Sequence, residues 1–280
     1  MTFTLRDSAA LALGLMLLAP AGAHAADVGA DYFLRGGQSG GQSGGSVQWD
    51  GVNFGVHMGV GTINTDFGNS TSQHVAYILR NTTVENEMRP SQWTALPSTV
   101  SNGRSYGAFL GYSVQYEELV IGFDLAYNRT SAMENSASDG LSRIVTTSDN
   151  TQHIVTVDAA ASNKLIDYAT FRARAGYAFG QFLPYAFVGG AVARFNYATS
   201  ATVTDRWTPQ GGATVNFGPL TEGRAKDNAI VGGFTAGLGL DVALLPNVFL
   251  RGEWEYVGFF AVNGIRTSMN TARVGVGVRF

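Results

Sequence analysis

The ten residues Thr170–Phe179, TFRARAGYAF, decide the fold of this chain, because large apolar side chains alternate in them with charged or small ones. In an extended strand, Phe171 and Tyr177 fall on one face, and Arg172 and Arg174 fall on the other. A shift of the strand by one residue would exchange the two faces, so the alternation fixes which face meets an apolar environment. The stretch therefore predicts a β-strand with one apolar and one polar face.

Seven other stretches show the same period of two, which makes eight predicted strands. They are 51–61, 105–116, 119–128, 183–197, 233–244, 248–256 and 271–280. Short connections such as Glu117-Glu118 alternate with gaps of about 40, 35 and 30 residues after the first, third and fifth strands. Within 131–165 we expect a β-hairpin that turns at Ser148–Thr151. This alternation of short and long connections is typical of an up-and-down barrel.

The composition separates two kinds of barrel. The chain has no cysteine, 36 glycines, 14% charged residues and a net charge of −3 without a basic run, which argues against a nucleic-acid partner. A soluble lipocalin-like barrel would bury its apolar face, whereas a transmembrane barrel turns that face to lipid. Aromatic residues near strand ends, such as Tyr116 and Tyr127, favour the second. We predict an all-β fold, an eight-stranded antiparallel up-and-down transmembrane β-barrel with long extracellular loops.

The energetic cost of a charge in lipid sets the register of the strands. An arginine near the bilayer midplane costs about 2–4 kcal/mol, so Arg172 and Arg174 are expected to point inward. The strand 183–197 has a less regular pattern. There we expect Arg194 to point inward and a bulge at Gly189-Gly190 to return the neighbouring valines to lipid.

Three segments are predicted along the chain. Residues 1–25 have an apolar run followed by small residues with an Ala-x-Ala, as in a cleaved secretory signal peptide. Residues 26–50 include a Gly/Ser/Gln-rich tract and are interpreted as a flexible segment. Residues 51–280 form the barrel. No further domain is expected after the last strand.

A cluster of charged residues is expected in the lumen. Its members alternate with outward-facing apolar residues in the predicted strands, and they are Asp124, Arg172, Arg174, Asp241, Arg251, Glu253, Glu255, Arg273 and Arg279. Two interpretations stay open. The charges form a salt-bridged plug, which suits the narrow interior of eight strands, or they line a narrow path for ions.

No residue pattern indicates catalysis, a metal site or a cofactor. Three histidines remain after the predicted signal peptide, namely His57, His74 and His153, and none has a serine and an acid at a spacing that indicates a hydrolase. The chain has neither cysteine nor a closely spaced histidine pair for a metal. We therefore expect no catalytic, cofactor-binding or metal-binding residues. The long loops either shield the barrel or bind an extracellular ligand or a host surface.

Several strand sequences carry a family resemblance. Five stretches resemble the small eight-stranded outer-membrane proteins related to the OmpA transmembrane domain, namely WDGVNFGVHMGVG at Trp49, GAFLGYSVQ at Gly107, TFRARAGYAFGQFLPYAFVGGA at Thr170, GFTAGLGLDVALLPNVFLRGEWEYV at Gly233 and the terminal TARVGVGVRF. The particular likeness is to the "porin family" surface antigens of alphaproteobacteria. It covers nearly all predicted strands and none of the long loops.

The resemblance implies an outer-membrane protein of a Gram-negative bacterium, and the alternation of short and long connections predicts that both ends of the barrel lie in the periplasm. We expect a non-enzymatic structural and surface-interaction role, with a small solute or ion channel as the alternative and a lipid-modifying enzyme third. The expected partners are outer-membrane lipid and lipopolysaccharide, and the barrel-assembly machinery with its periplasmic chaperones. By the same resemblance, Arg273, Gly275, Val278 and Phe280 match a C-terminal assembly signal, although Val278 stands where an aromatic residue is usual.

Overall fold

The computed structural model describes residues 47–209 and 211–280, so the predicted signal peptide lies outside the described residues. Nine strands, two short α-helices and a 3-10 turn (Pro90–Gln92) are found in these residues. The elements are β1 (Gly51–Asp66), α1 (Ser72–Ile78), α2 (Thr83–Met88), β2 (Thr99–Tyr116), β3 (Leu119–Ser131), β4 (Glu134–Thr146), β5 (Gln152–Tyr177), β6 (Phe182–Thr208), β7 (Val215–Leu245), β8 (Val248–Phe259) and β9 (Arg266–Arg279). Neither helix is long and apolar enough to cross a membrane.

Eight of the nine strands close into an antiparallel ring in the order β1-β2-β3-β5-β6-β7-β8-β9, and β9 pairs with β1. The predicted eight-stranded up-and-down barrel is therefore confirmed. At the closing seam, the backbone N–H of Phe280 donates to the carbonyl of Val52 at 2.9 Å, and the Phe280 ring stacks on Phe54. The seam leaves the ring without a free strand edge, which is how barrels avoid unpaired backbone groups in lipid.

The outside of the ring is an apolar belt. Val56, Phe123, Phe171 and Leu238 each expose more than half of their side chain, at 60%, 52%, 59% and 54%. Every strand of the ring contributes exposed apolar residues, down to Leu250 of β8 at 45%, because alternate side chains of a strand point to opposite faces. An exposed apolar surface of this size is typical of a barrel that faces lipid.

One end of the barrel has short turns and the other has long connections. Glu117-Glu118 joins β2 to β3, residues 178–181 join β5 to β6, and Pro246-Asn247 joins β7 to β8. We call this the turn end. The opposite, loop end carries residues 67–98 between β1 and β2, together with β4 and the far halves of β5, β6 and β7.

β4 and the far halves of β5, β6 and β7 lie well past the belt. β5, β6 and β7 have 26, 27 and 31 residues, whereas β8 and β9 have 12 and 14. Since about 9–11 residues of a tilted strand cross a membrane, the excess lies beyond it. We call this four-stranded sheet the extension sheet; it consists of β4, 152–165, 196–208 and 215–228. The β-hairpin expected within 131–165 contributes β4 and the far half of β5 to this sheet, and the gap of about 30 residues after the fifth predicted strand is largely strand as well.

The hairpin expected at Ser148–Thr151 is present. β4 pairs with β5 from Glu134↔Lys164 to Thr146↔Gln152, and the N–H of Thr147 donates to the carbonyl of Thr151. Among the described strands, β4 forms a backbone ladder with β5 alone, so its other edge is unpaired, although the side chain of Asn135 near its start donates to β1 at Thr65.

Residues 67–98, which we call the helical loop, pack on the inner face of the extension sheet. Val75 and Leu79 of the loop form a buried cluster with Val155, Val157 and Val203 of the sheet. The loop is therefore a folded layer over the sheet, held by apolar burial.

The expectation for β6 is wrong at Arg194. Val188 and Val192 face outward with 63% and 53% exposure, while Ala191 and Ala193 are buried in the lumen. Arg194 shares the outward face, and the β5–β6 register shifts at Leu165/Asp167 rather than at glycines. The guanidinium forks onto the carboxylate of Asp167, at 2.8 Å for Nε–Oδ1, so the outward arginine is neutralised. Because this ion pair lies at the end of the belt, it offsets the free-energy cost of placing an arginine on the outward face.

Candidate functional site: the filled lumen and the extension sheet

The structure places all nine charged residues of the predicted cluster inside the barrel, where each is 8% exposed or less. Eight of them form one connected set of ion pairs, which we call the lumen network. Its members are Asp124, Arg172, Arg174, Asp241, Arg251, Glu253, Glu255 and Arg273. Four arginines meet four carboxylates, so the network carries no net formal charge.

Arg251 holds one side of the network together. Its Nε and Nη2 donate to Oδ1 and Oδ2 of Asp241, both at 2.8 Å, which is the bidentate geometry of a strong ion pair. Its Nη1 lies 3.5 Å from Oδ2 of Asp124 on the opposite wall. Arg174 also donates to Oδ2 of Asp241, at 3.2 Å. Asp241 therefore accepts from two arginines at once.

Glu253 and Glu255 hold the other side. Arg273 donates to Oε2 of Glu253 at 2.7 Å and lies 2.9 Å from Oε2 of Glu255. Arg172 donates to Oε2 of Glu253 at 3.1 Å. The phenol of Tyr185 donates to Oε1 of Glu253 at 2.7 Å, so this carboxylate has three donors. Such satisfaction is what buried charges require.

Aromatic side chains fill the lumen on the turn-end side of the network. The Arg251 guanidinium lies 4.1 Å from the ring centroid of Phe109, and Arg172 lies 4.3 Å from that of Phe187. Glycines on the neighbouring strands make room for these rings. A Cβ on Gly239 would lie 2.3 Å from the Tyr185 ring, closer than any side chain could accept.

An apolar layer fills the lumen on the loop-end side. Ile63, Met133, Leu165, Phe195 and Phe259 belong to one buried cluster there. The network thus lies between an aromatic layer and an apolar layer. An interior filled in this way favours the interpretation as a plug, because ions need a continuous polar path.

Arg279 lies apart from the lumen network. It is at the turn end, where its guanidinium lies over the ring of Trp49 at 4.7 Å and donates to the carbonyl of Pro246. Trp49 is 2% exposed, so the residues just before β1 cap the lumen. Of the predicted assembly signal, Arg273 and Gly275 face the lumen, and Phe280 faces outward.

The three histidines are spread over the molecule. His57 faces the lumen and lies 2.6 Å from Oδ1 of Asn128, and His74 of α1 lies 2.9 Å from the Thr199 hydroxyl. His153 lies 2.8 Å from the carboxylate of Asp205. Within the described residues, none of the three hydrogen-bonds to a serine. The same residues contain no cluster of histidine and acidic side chains that could hold a metal ion.

Sequence reasoning missed several polar contacts. Tyr185 and Asn128 join the lumen through bonds to partners far along the chain. The alternation of residues along β6 predicts that Tyr185 points inward, but it does not indicate the partner, because Glu253 lies 68 residues away in the sequence. At the tip of the extension sheet, Glu87 of the helical loop accepts from the N–H of Ser148 at 2.9 Å. No local pattern indicates this contact.

The chain is similar to several solved structures and to one protein family. Similar solved structures include Ail, the attachment invasion locus protein of Yersinia pestis (12% identity, 82% of this chain and 99% of that chain, TM-score 0.33). Others are Neisserial surface protein A (14%, 81% and 97%, 0.33) and OprG from Pseudomonas aeruginosa (11%, 82% and 97%, 0.36). No curated protein sequence gives a significant match. The model of the family described as "Outer membrane protein beta-barrel domain" matches residues 9–280.

Proposed function

This chain belongs to the outer membrane protein β-barrel domain family, and on that premise we propose that it is a closed, non-enzymatic barrel that presents the extension sheet at the surface of a Gram-negative cell. The turn end faces the periplasm and the loop end faces the outside, as is usual for barrels with short periplasmic turns. The observation that carries the proposal is the extension sheet itself, a folded structure outside the apolar belt.

The filled lumen supports the closed state. The lumen network is neutral, and an apolar and an aromatic layer enclose it. An eight-stranded barrel has an interior just wide enough for its own side chains. These features support a plug over the alternative of a small solute or ion channel.

The build of the extension sheet supports a role in surface contacts. β4 alone adds 13 residues, which at about 3.3 Å per residue reach roughly 40 Å along the strand. The sheet is held by backbone ladders on four strands and by the helical loop packed on its inner face. A preorganised surface loses little conformational entropy on binding. An ordered sheet therefore suits a binding role better than flexible loops would.

The outward charges at the loop-end border of the belt support lipopolysaccharide as a partner. Arg129 and Arg194 flank Asp167 in one row across three strands, and Tyr127 donates to Asp167 at 2.9 Å. The row has a net positive charge beside an apolar belt, which suits phosphate groups next to acyl chains. The barrel-assembly machinery and periplasmic chaperones are the proposed partners during biogenesis.

The test uses a variant with a shortened surface. Residues 136–162 and 198–225 are each replaced by an Asn-Gly turn, which joins strands that remain paired at Asn135↔Asn163 and Tyr197↔Lys226. Cells that display this variant are expected to adhere several-fold less to host-cell monolayers than cells that display the full chain. Heat-dependent gel migration must stay unchanged, which shows that the barrel is intact. Equal adhesion by both proteins would contradict the surface role.

The closed state is tested separately in planar bilayers. The purified full chain is expected to give no steady conductance, because side chains fill its lumen. Open channels of uniform size would contradict the closed state and favour the channel.

A further inference from the structure

The extension sheet has two unpaired edges that differ in character. The β7 edge, 215–228, carries Pro219 and Lys226, residue types that discourage pairing with another strand. The β4 edge carries neither proline nor lysine. It pairs with β5 at every residue of the strand without a register shift, so it offers a regular row of backbone donors and acceptors. Of the two edges, β4 is the one prepared to accept another strand.

The charges on β4 are self-complementary. Asp139 and Arg143 are the charged residues between Asn135 and Thr146, and both are exposed. Their β5 partners are Ala159 and Val155, so the two charges share the inner face of the sheet. Four residues apart, they are separated by about 13 Å and cannot pair with each other. Within the described residues, neither makes an ion pair, and the Arg143 guanidinium lies 5.0 Å from the ring centroid of Trp93 in the helical loop.

Resting on the proposed function, we propose that the β4 edge pairs antiparallel with the β4 edge of a second copy of this chain. When the pairing is centred on Leu141, Asp139 of each copy lies directly opposite Arg143 of the other. Two opposite-charge pairs then form across the edge, and Ser136–Thr146 of one copy overlaps the same residues of the other. Centring on Asp139 or on Arg143 would oppose like charges, which is destabilising.

The orientation of this pairing decides where the second copy lies. Copies in one membrane are related by rotation about the membrane normal, so their β4 strands all run away from the membrane. An antiparallel pair therefore requires a copy in an opposing membrane. The extension sheet thus joins two cells through identical surfaces, and its roughly 40 Å reach holds the contact away from either belt.

Vesicle clustering tests the pairing directly. Full-length chain is reconstituted in phosphatidylcholine vesicles, and light scattering reports clustering. Wild-type vesicles are expected to cluster. Vesicles with Asp139→Arg and vesicles with Arg143→Asp are each expected to cluster roughly tenfold less, because each variant opposes like charges at both positions. A mixture of the two variants restores both ion pairs and is expected to cluster like the wild type.

The double variant Asp139→Arg/Arg143→Asp is the control for folding. It restores complementarity within one chain, so its vesicles are expected to cluster by themselves. Single variants that cluster like the wild type, a mixture that clusters no more than its components, or wild-type vesicles that stay dispersed would each overturn the pairing. Dispersed wild-type vesicles together with adhesion to host cells would overturn the pairing and leave the proposed function standing.

Discussion

The barrel and the extension sheet share three strands, β5, β6 and β7, but the two regions are stabilised in different ways. In the barrel, Arg172 and Tyr185 are fixed by an ion pair and a hydrogen bond to Glu253, which lies three and two strands away around the ring. In the extension sheet, hydroxyl pairs such as Thr202–Thr221, at 2.8 Å, line the outer face, and an apolar layer under the helical loop lines the inner face. The barrel is cross-linked through its interior, whereas the extension sheet depends on one packed loop.

The largest expected effect comes from the lumen network. Glu253→Ala would leave Arg172 and Arg273 with an uncompensated buried charge, and breaking such a pair costs about 3–5 kcal/mol. Urea unfolding of the reconstituted chain, followed by tryptophan fluorescence, measures the loss. The matched control is Glu134→Ala, whose carboxylate pairs with the half-exposed Lys164 at 3.4 Å and is expected to change stability by about 0–1 kcal/mol. Equal losses in the two variants would remove the distinction between barrel and extension sheet.

The next effect concerns the helical loop. Leu79 is 1% exposed in the cluster under the sheet, so Leu79→Ala is expected to destabilise that packing by about 2–5 kcal/mol. The loss is expected to be local, because within the described residues no ion pair or hydrogen bond of the lumen network reaches the helical loop. Hydrogen exchange is expected to rise in 67–98 and in 152–165 while the amides of β8 stay protected. Increased exchange in β8 would show that the two regions unfold together.

A smaller loss of stability is expected where a side chain replaces a glycine that lies under an aromatic ring. Gly239→Val would push the Tyr185 ring out of its place beside Glu253, and overpacking of this kind costs about 1–3 kcal/mol. Gly252→Val is the matched control, because a Cβ there meets no atom within 4 Å. The same urea titration should show a lower midpoint for Gly239→Val alone. A shift of similar size in both variants would argue against ring packing as the cause.

The smallest effect is a pH dependence confined to the loop. Burial lowers the pKa of His74 from its usual 6.5, with Arg224 acting in the same direction and Glu222 opposing it. As the pH falls through about 6.5, the unfolded loop takes up a proton that the folded loop resists, so loop packing weakens on acidification. Proteolysis of the loop is expected to quicken below about pH 6.5, and His74→Gln should remove the change. An unaltered pH profile in that variant would contradict this role.

The residues on the inward face of the barrel could be predicted because a charged side chain that faced lipid would destabilise the barrel. Arg172 and Arg174 permit one register, and the acids on β8 follow the same logic. Arg194 was misplaced because it lies at the end of the belt, where Asp167 across the strand pair neutralises it. A register shift at Leu165/Asp167 brings Arg194 and Asp167 together. The residue pattern of neither strand indicates this shift.

The extension sheet could not be predicted by the same rule. Its outer face meets water and its strands are rich in serine, threonine and alanine, so the period of two is weak in 196–208 and 215–228. The hairpin at Ser148–Thr151 was found because β-branched residues flank a polar turn. The pairing of His153 with Asp205 joins residues 52 apart and required the fold to be known.

The lumen network also has a mechanical consequence. Asp124 lies on β3 and Arg251 on β8, and in the ring of eight these strands stand diametrically opposite each other. Arg172 on β5 reaches Glu253 on β8, three strands away around the ring. These two ion pairs thus cross the lumen and hold facing walls at a set separation. Lateral pressure from the bilayer would flatten an empty barrel into an oval cross-section. The ion pairs across the lumen resist this deformation, so the barrel keeps a circular cross-section.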